Sequence, residues 1–105
     1  MFPIKEFEKR FREILDQLDD LREEAESDQA DAIDEMNADF EDALFVIESI
    51  SAEDDDWQEA FSDALEEFKD LLGEYRRFSE SLPELAEIAN RLQMTIALAE
   101  GNLGA

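Results

Sequence analysis

The chain has 105 residues, 44% of them hydrophobic, and a formal charge of −22 from 31 acidic and 9 basic side chains. The absence of Cys excludes disulfides and thiolate metal sites, and the charge argues against direct contact with nucleic acid or an anionic membrane, polyanions that require Lys and Arg. Disorder needs low hydrophobicity as well as high charge, so one folded domain is expected. The N-terminal stretch has no apolar run of signal-peptide length, and no stretch approaches the roughly 18 apolar residues that span a bilayer. A soluble cytoplasmic protein is the expectation.

The first predicted helix, over about 3–26, carries Ile4, Phe7, Phe11, Ile14, Leu18, Leu21 and Ala25, spaced alternately three and four apart. Pro3 suits its first turn, where a missing N–H costs nothing. The second, over about 28–50, has the seam Ile33, Met36, Phe40, Ala43/Leu44, Ile47 and Ile50, with Ser27 or Asp28 as its N-cap. No Gly or Pro separates the two, so one continuous helix through 4–50 in a dimeric bundle is the alternative to a hairpin.

Ser51-Ala52-Glu53-Asp54 reads as a cap entering a third helix over about 52–79. Its seam is Trp57, Phe61, Ala64/Leu65, Phe68, Leu71/Leu72, Tyr75 and Phe78, interrupted by Gly73 at a cost of about 1 kcal/mol relative to Ala. Ser81-Leu82-Pro83-Glu84 signals the fourth helix, over about 82–100, with Leu85, Ile88, Ala89, Leu92, Ile96 and Ala99 buried and Gly101 as the stop. No segment alternates with period two. Short connections between amphipathic helices predict an all-α, up-down antiparallel four-helix bundle.

Chemistry finds little to work with. Carboxylate-bridged metal sites in bundles use Glu-x-x-His pairs aimed at the core, and this chain has no His and four apolar seams. Glu53–Asp56 lacks the Gly and the terminal Glu of a calcium loop. With neither Cys nor His for nucleophilic catalysis and no Gly-rich phosphate loop, neither an enzyme nor a cofactor is expected.

The acidity is zoned. Between Glu23 and Phe68 lie nineteen carboxylates and no Lys or Arg. On a helical wheel the second helix turns Asp31, Asp34, Glu35, Glu41, Asp42 and Glu48 away from its seam, and the third does the same with Asp55, Glu59, Asp63, Glu66 and Asp70. Like charges three or four apart, such as Glu35/Asp39 or Asp63/Glu67, each cost a helix roughly 0.2–0.5 kcal/mol. The first helix instead pairs Glu6 with Arg10 and Glu8 with Arg12. Stability alone does not favour that contrast.

A one-signed field selects partners of opposite sign, here a basic protein. Carboxylates about 5–6 Å apart on a helix approach the phosphate spacing of about 3.4 Å along a DNA strand. In charge and length, the only features that carry the likeness, the chain resembles the small acidic DNA-mimic inhibitors of phages and other mobile elements. That resemblance implies an inhibitor that occupies the basic surface of a nucleic-acid-binding protein. Two other readings compete: a chaperone, adaptor or immunity-type partner of one basic protein, and a structural helical protein of a salt-adapted organism. Phe45 lies far from its seam among Glu41, Asp42 and Glu48, either buried against another helix or a second copy, or exposed as an anchor. Met94, Ile96 and Leu98 widen the apolar stripe of the fourth helix, which predicts a central position in the bundle or a homodimer through that helix.

Overall fold

The computed structural model describes residues 3–51 and 53–103. Its four helices are α1 (Ile4–Glu24), α2 (Ser27–Ser49), α3 (Trp57–Phe78) and α4 (Glu84–Leu103). Contacts run α1 to α2, α2 to α3, α3 to α4 and α4 to α1, so consecutive helices are neighbours around an all-α four-helix bundle. Helices α1 and α3 form one diagonal, α2 and α4 the other.

The hairpin wins over the continuous helix at two residues. Ala25 and Glu26 are both extended, with ψ of 154° and 159°, which ends α1 and reverses the chain. An unbroken helix over 4–49 would be about 69 Å long, whereas the longest dimension of the bundle is 44 Å. Glu26 takes the N-cap position; Ser27 and Asp28, expected there, fall inside the first turn. Asp28 there still favours the helix dipole.

The seams bury as their spacing requires. Phe11, Leu18, Ile33, Phe40, Ile47, Phe61, Phe68, Tyr75, Leu85 and Leu92 are fully enclosed. Phe11, Phe40 and Phe68 bring three helices to one point. Phe11 stacks on Phe68 at 4.2 Å across the α1–α3 diagonal, and Phe40 meets Phe68 edge-on at 4.8 Å. Offset and edge-to-face contacts of this kind add about 0.5–1.5 kcal/mol beyond area burial. The seams are not wholly apolar, however. Asn37 and Thr95 are also buried: Asn37 Nδ2 donates to Asp19 Oδ1 of α1 at 3.0 Å, and Thr95 Oγ1 to Arg91 O at 2.9 Å. Burial, and then the charges of Glu74 and Asp39, push the Tyr75 phenol well above its ordinary range. Its contribution to stability is therefore complete below the unfolded value near 10 and is lost as the pH rises beyond it.

Two boundaries differ from expectation. Helix α3 starts at Trp57, not near residue 52, with Asp56 as its N-cap. The expected Ser51 cap instead closes a local turn, in which Asp54 N–H donates to Ser51 O and Glu53 N–H to Ser51 Oγ. Ala52 of that motif lies outside the described residues. Four successive carboxylates, three of them Asp, repel one another and favour local turn bonds over a helical turn. At the other end, α4 runs through Gly101, which has no positive φ and does not terminate it. Asn102 Nδ2 donates to Leu98 O, satisfying a late carbonyl. Gly73 is likewise helical, and nothing lies within 4 Å of where its Cβ would be. Gly73→Ala is thus expected to stabilise the protein by about 0.5–1 kcal/mol, readable as a higher urea midpoint with an unchanged slope.

Candidate protein-binding surface

Helices α2 and α3 run antiparallel with a groove between them. Near its middle it is lined by Asp39, Asp42, Glu67, Asp70, Leu71 and Glu74, and it continues past Glu35, Met36 and Phe78 to Arg77. Six carboxylates from two helices thus face one channel, with Arg77 as the cation at its far end. Each of them immediately precedes a buried residue: Glu35 before Met36, Asp39 before Phe40, Asp42 before Ala43, Glu67 before Phe68, Asp70 before Leu71 and Glu74 before Tyr75. One residue back along a helix is a turn of about 100°, so all six sit on the same flank of their seams. Antiparallel neighbours are related by an approximate two-fold axis, which turns the same flank of each toward the other.

Several cations are held away from this groove. Arg12 and Arg22 of α1 pair with Glu48 and Asp34 of α2, Arg10 with Glu6 at 3.4 Å, and Lys69 with Glu100 of α4 at 2.8 Å. The hydrogen bond to Glu100 is the main cause that raises the Lys69 pKa from its usual value. Arg76 donates to Gln93 of α4. Among the described residues no ion pair reaches Asp39, Asp42, Glu67, Asp70 or Glu74. Nor does any group of three or more of their carboxylates converge closely enough to hold a metal ion. The charge is spread along a channel instead of focused on a point.

The twelve residues expected to face a partner are all exposed, but they divide among several faces. Glu35, Asp42 and Asp70 line the α2–α3 groove. Asp34 and Glu48 turn to α1 and are neutralised there, so α2 is not uncompensated along its whole outer face. Glu8/Arg12, expected within α1, gives way to the α2 contact. Glu66 lines a separate groove with Lys69 and Glu100 between α3 and α4. Asp55 lies in the turn before α3, outside any helix, so its spacing from Glu59 brings no helical repulsion. Asp31, Glu41, Glu59 and Asp63 are solvent-facing without lining the groove. Asp39, Glu67 and Glu74 belong to the groove although the wheel did not single them out, because they lie at the seam edge and not on its far side.

Phe45 is 68% exposed, so it packs into no other helix. It stands near the α2–α3 connection, beside Val46, Ile50, Trp57 and Ala60. Helix α4 occupies a corner of the bundle against α1 and α3, not its centre. Ile96 is buried, while Met94 and Leu98 are 67% and 47% exposed on its outer side. No described helix is long and apolar enough to cross a membrane. No protein-family model matches the chain, nor does any curated protein or solved structure.

The unpaired groove has a measurable consequence. Screening of its carboxylates by salt should raise the melting temperature, and each 1 kcal/mol of repulsion relieved is worth about 4–8 °C in a domain of this size. A melting temperature equal at low and moderate salt would show that the groove carries little repulsion.

Proposed function

We propose that this is a non-enzymatic binding protein of the cytoplasm that occupies the basic surface of a nucleic-acid-binding protein, as a decoy or inhibitor of the DNA-mimic kind. The observation that supports this most is the α2–α3 groove, where carboxylates from two antiparallel helices face one channel while Arg12, Arg22 and Lys69 pair elsewhere and Arg77 stands at the far end. Leaving those carboxylates unpaired costs stability, and a cationic partner offsets that cost on binding. The test is capture of host proteins on the immobilised chain, elution along a salt gradient, and competition by DNA and RNA. Release of the captured protein by nucleic acid is the expected result. A captured protein that binds DNA or RNA normally while held would rule the reading out.

A second reading, an adaptor or immunity-type partner of one basic protein without nucleic-acid competition, draws on the exposure of Phe45. It expects Phe45→Ala to weaken capture more than neutralising any single carboxylate, with no effect of added DNA or RNA. We also propose that two copies meet through the outer side of α4. From Ile88 to Ala99 Arg91 is the one charged residue, so two chains of charge −22 approach there with least repulsion. Sedimentation velocity should then show a dimer that Met94→Glu with Leu98→Glu disperses. A parent chain that sediments as a monomer would end that proposal.

A further inference from the structure

Between α2 and α3, one turn of α2 beyond Asp42, lies a notch of different character from the acidic groove. Phe45, Val46 and Ser49 of α2, with Ile50 just past its end, face Trp57 and Ala60 of α3 around a space of about 330 Å³, with Asp54 and Asp56 of the connecting turn on the rim. That is the low end of ligand-pocket sizes, about 300–1,000 Å³, room for one or two side chains. Val46, Ile50 and Trp57 are partly buried against the core, which makes the floor apolar and firmly held. Phe45 is the contrast. Its ring stands in water beside that floor, whereas Phe7, Phe11, Phe40, Phe61 and Phe68 are all buried.

The rim decides which apolar group fits. Among the described residues no Lys or Arg lines the notch, and the turn that borders it contains the run Glu53-Asp54-Asp55-Asp56. Glu41 and Asp42 lie one helical turn before Phe45. An apolar side chain flanked by carboxylates would meet repulsion at this rim, and one flanked by neutral residues would forgo its attraction. We propose that the notch receives an aliphatic or aromatic side chain from a basic segment, with Lys or Arg next to it in sequence, of the protein whose basic surface lies along the carboxylate groove. This rests on the function proposed above and adds the specificity that charge alone lacks, since long-range attraction orients a partner and a filled apolar pocket selects it.

Trp57 is the one tryptophan of the chain and lines the notch, so its fluorescence reports occupation. The probes are two capped peptides of equal charge, Arg-Lys-Leu-Lys-Arg and Arg-Lys-Gly-Lys-Arg. The Leu peptide should bind about tenfold more tightly, as expected for one buried aliphatic side chain, and shift the Trp57 emission. Phe45→Ala, a change at an exposed position, should abolish that preference. Ala60→Phe, which fills the notch from α3, should do the same, with circular dichroism confirming that both variants remain folded. Equal affinity for the two peptides, a Leu preference that survives both variants, or no binding of either peptide overturns the proposal. Equal, salt-sensitive binding of both peptides overturns the notch alone and leaves the carboxylate groove standing. A Leu preference together with host capture that DNA and RNA do not disturb leaves the notch standing and removes the nucleic-acid reading. If the parent chain forms a dimer that Phe45→Ala disperses, the notch takes a second copy and the proposal falls.

Discussion

Phe68→Ala is expected to lower the stability of the bundle by about 3–5 kcal/mol. Its ring is fully buried, stacks on Phe11 at 4.2 Å and meets Phe40 at 4.8 Å, so truncation empties the point where α1, α2 and α3 converge. The backbones of α1 and α3 are diagonal and do not touch, which leaves these rings as a bridge between them. Against a domain stability of about 5–15 kcal/mol, reduced here by unpaired charge, such a loss brings the protein close to unfolding. Urea denaturation at moderate salt, followed by circular dichroism, should show a much lower midpoint or no native baseline. A loss under about 1 kcal/mol would mean that the core repacks around the missing ring. Phe45→Ala, the same substitution at an exposed site, should stay within about 0.5 kcal/mol of the parent.

Neutralising the groove should move stability and binding in opposite directions. Asp39→Asn, Asp42→Asn, Glu67→Gln and Asp70→Asn together remove four unpaired charges from facing flanks of α2 and α3. With like-charge repulsion relieved, the melting temperature at low salt should rise and its dependence on salt should shrink. Capture of a basic partner should weaken about 10–1,000-fold at low salt, the range that electrostatic steering contributes to association. The control removes the same number of charges elsewhere, at Glu23, Glu24, Glu80 and Glu84, which line neither the groove nor the notch. If both sets weaken capture equally, net charge governs binding and the groove has no special part. If the groove set leaves capture intact, the partner sits on another face.

The α4 face and the Phe45 notch are separate apolar features, and their tests are independent. Met94 and Leu98 lie on a stretch almost free of charge, where approach of a like molecule costs least. Phe45 lies beside the most acidic turn of the chain, where a like molecule is repelled and a basic one drawn in. The same residue class therefore points to different partners according to the field around it.

Four amphipathic helices, their seams and the zoning of charge are all legible in the sequence, because a buried stripe must recur with the helical period and leaves its spacing in the chain. The hairpin between α1 and α2 is less so: no Gly or Pro marks it, and it rests on two extended residues, Ala25 and Glu26, whose types do not demand that conformation. Helix α3 starts later than the Ser51 motif predicts because local turn bonds at Ser51 outcompete a cap that the motif alone allows. The groove depends on a choice that seam spacing does not contain. Each seam has two flanks, and the handedness with which the bundle turns from helix to helix decides which flank meets which neighbour. In this fold the residues that precede the seam on α2 and α3, among them Asp39, Glu67 and Glu74, face each other, and those that follow it on α2, such as Asp34 and Glu48, meet the arginines of α1. The opposite turn would have set Glu35, Asp39 and Asp42 against α1, turned Glu67, Asp70 and Glu74 toward α4, and moved Asp34 and Glu48 away from the arginines of α1. Composition and spacing made the protein acidic and helical; only the packing order of the helices decided which carboxylates would remain without a partner.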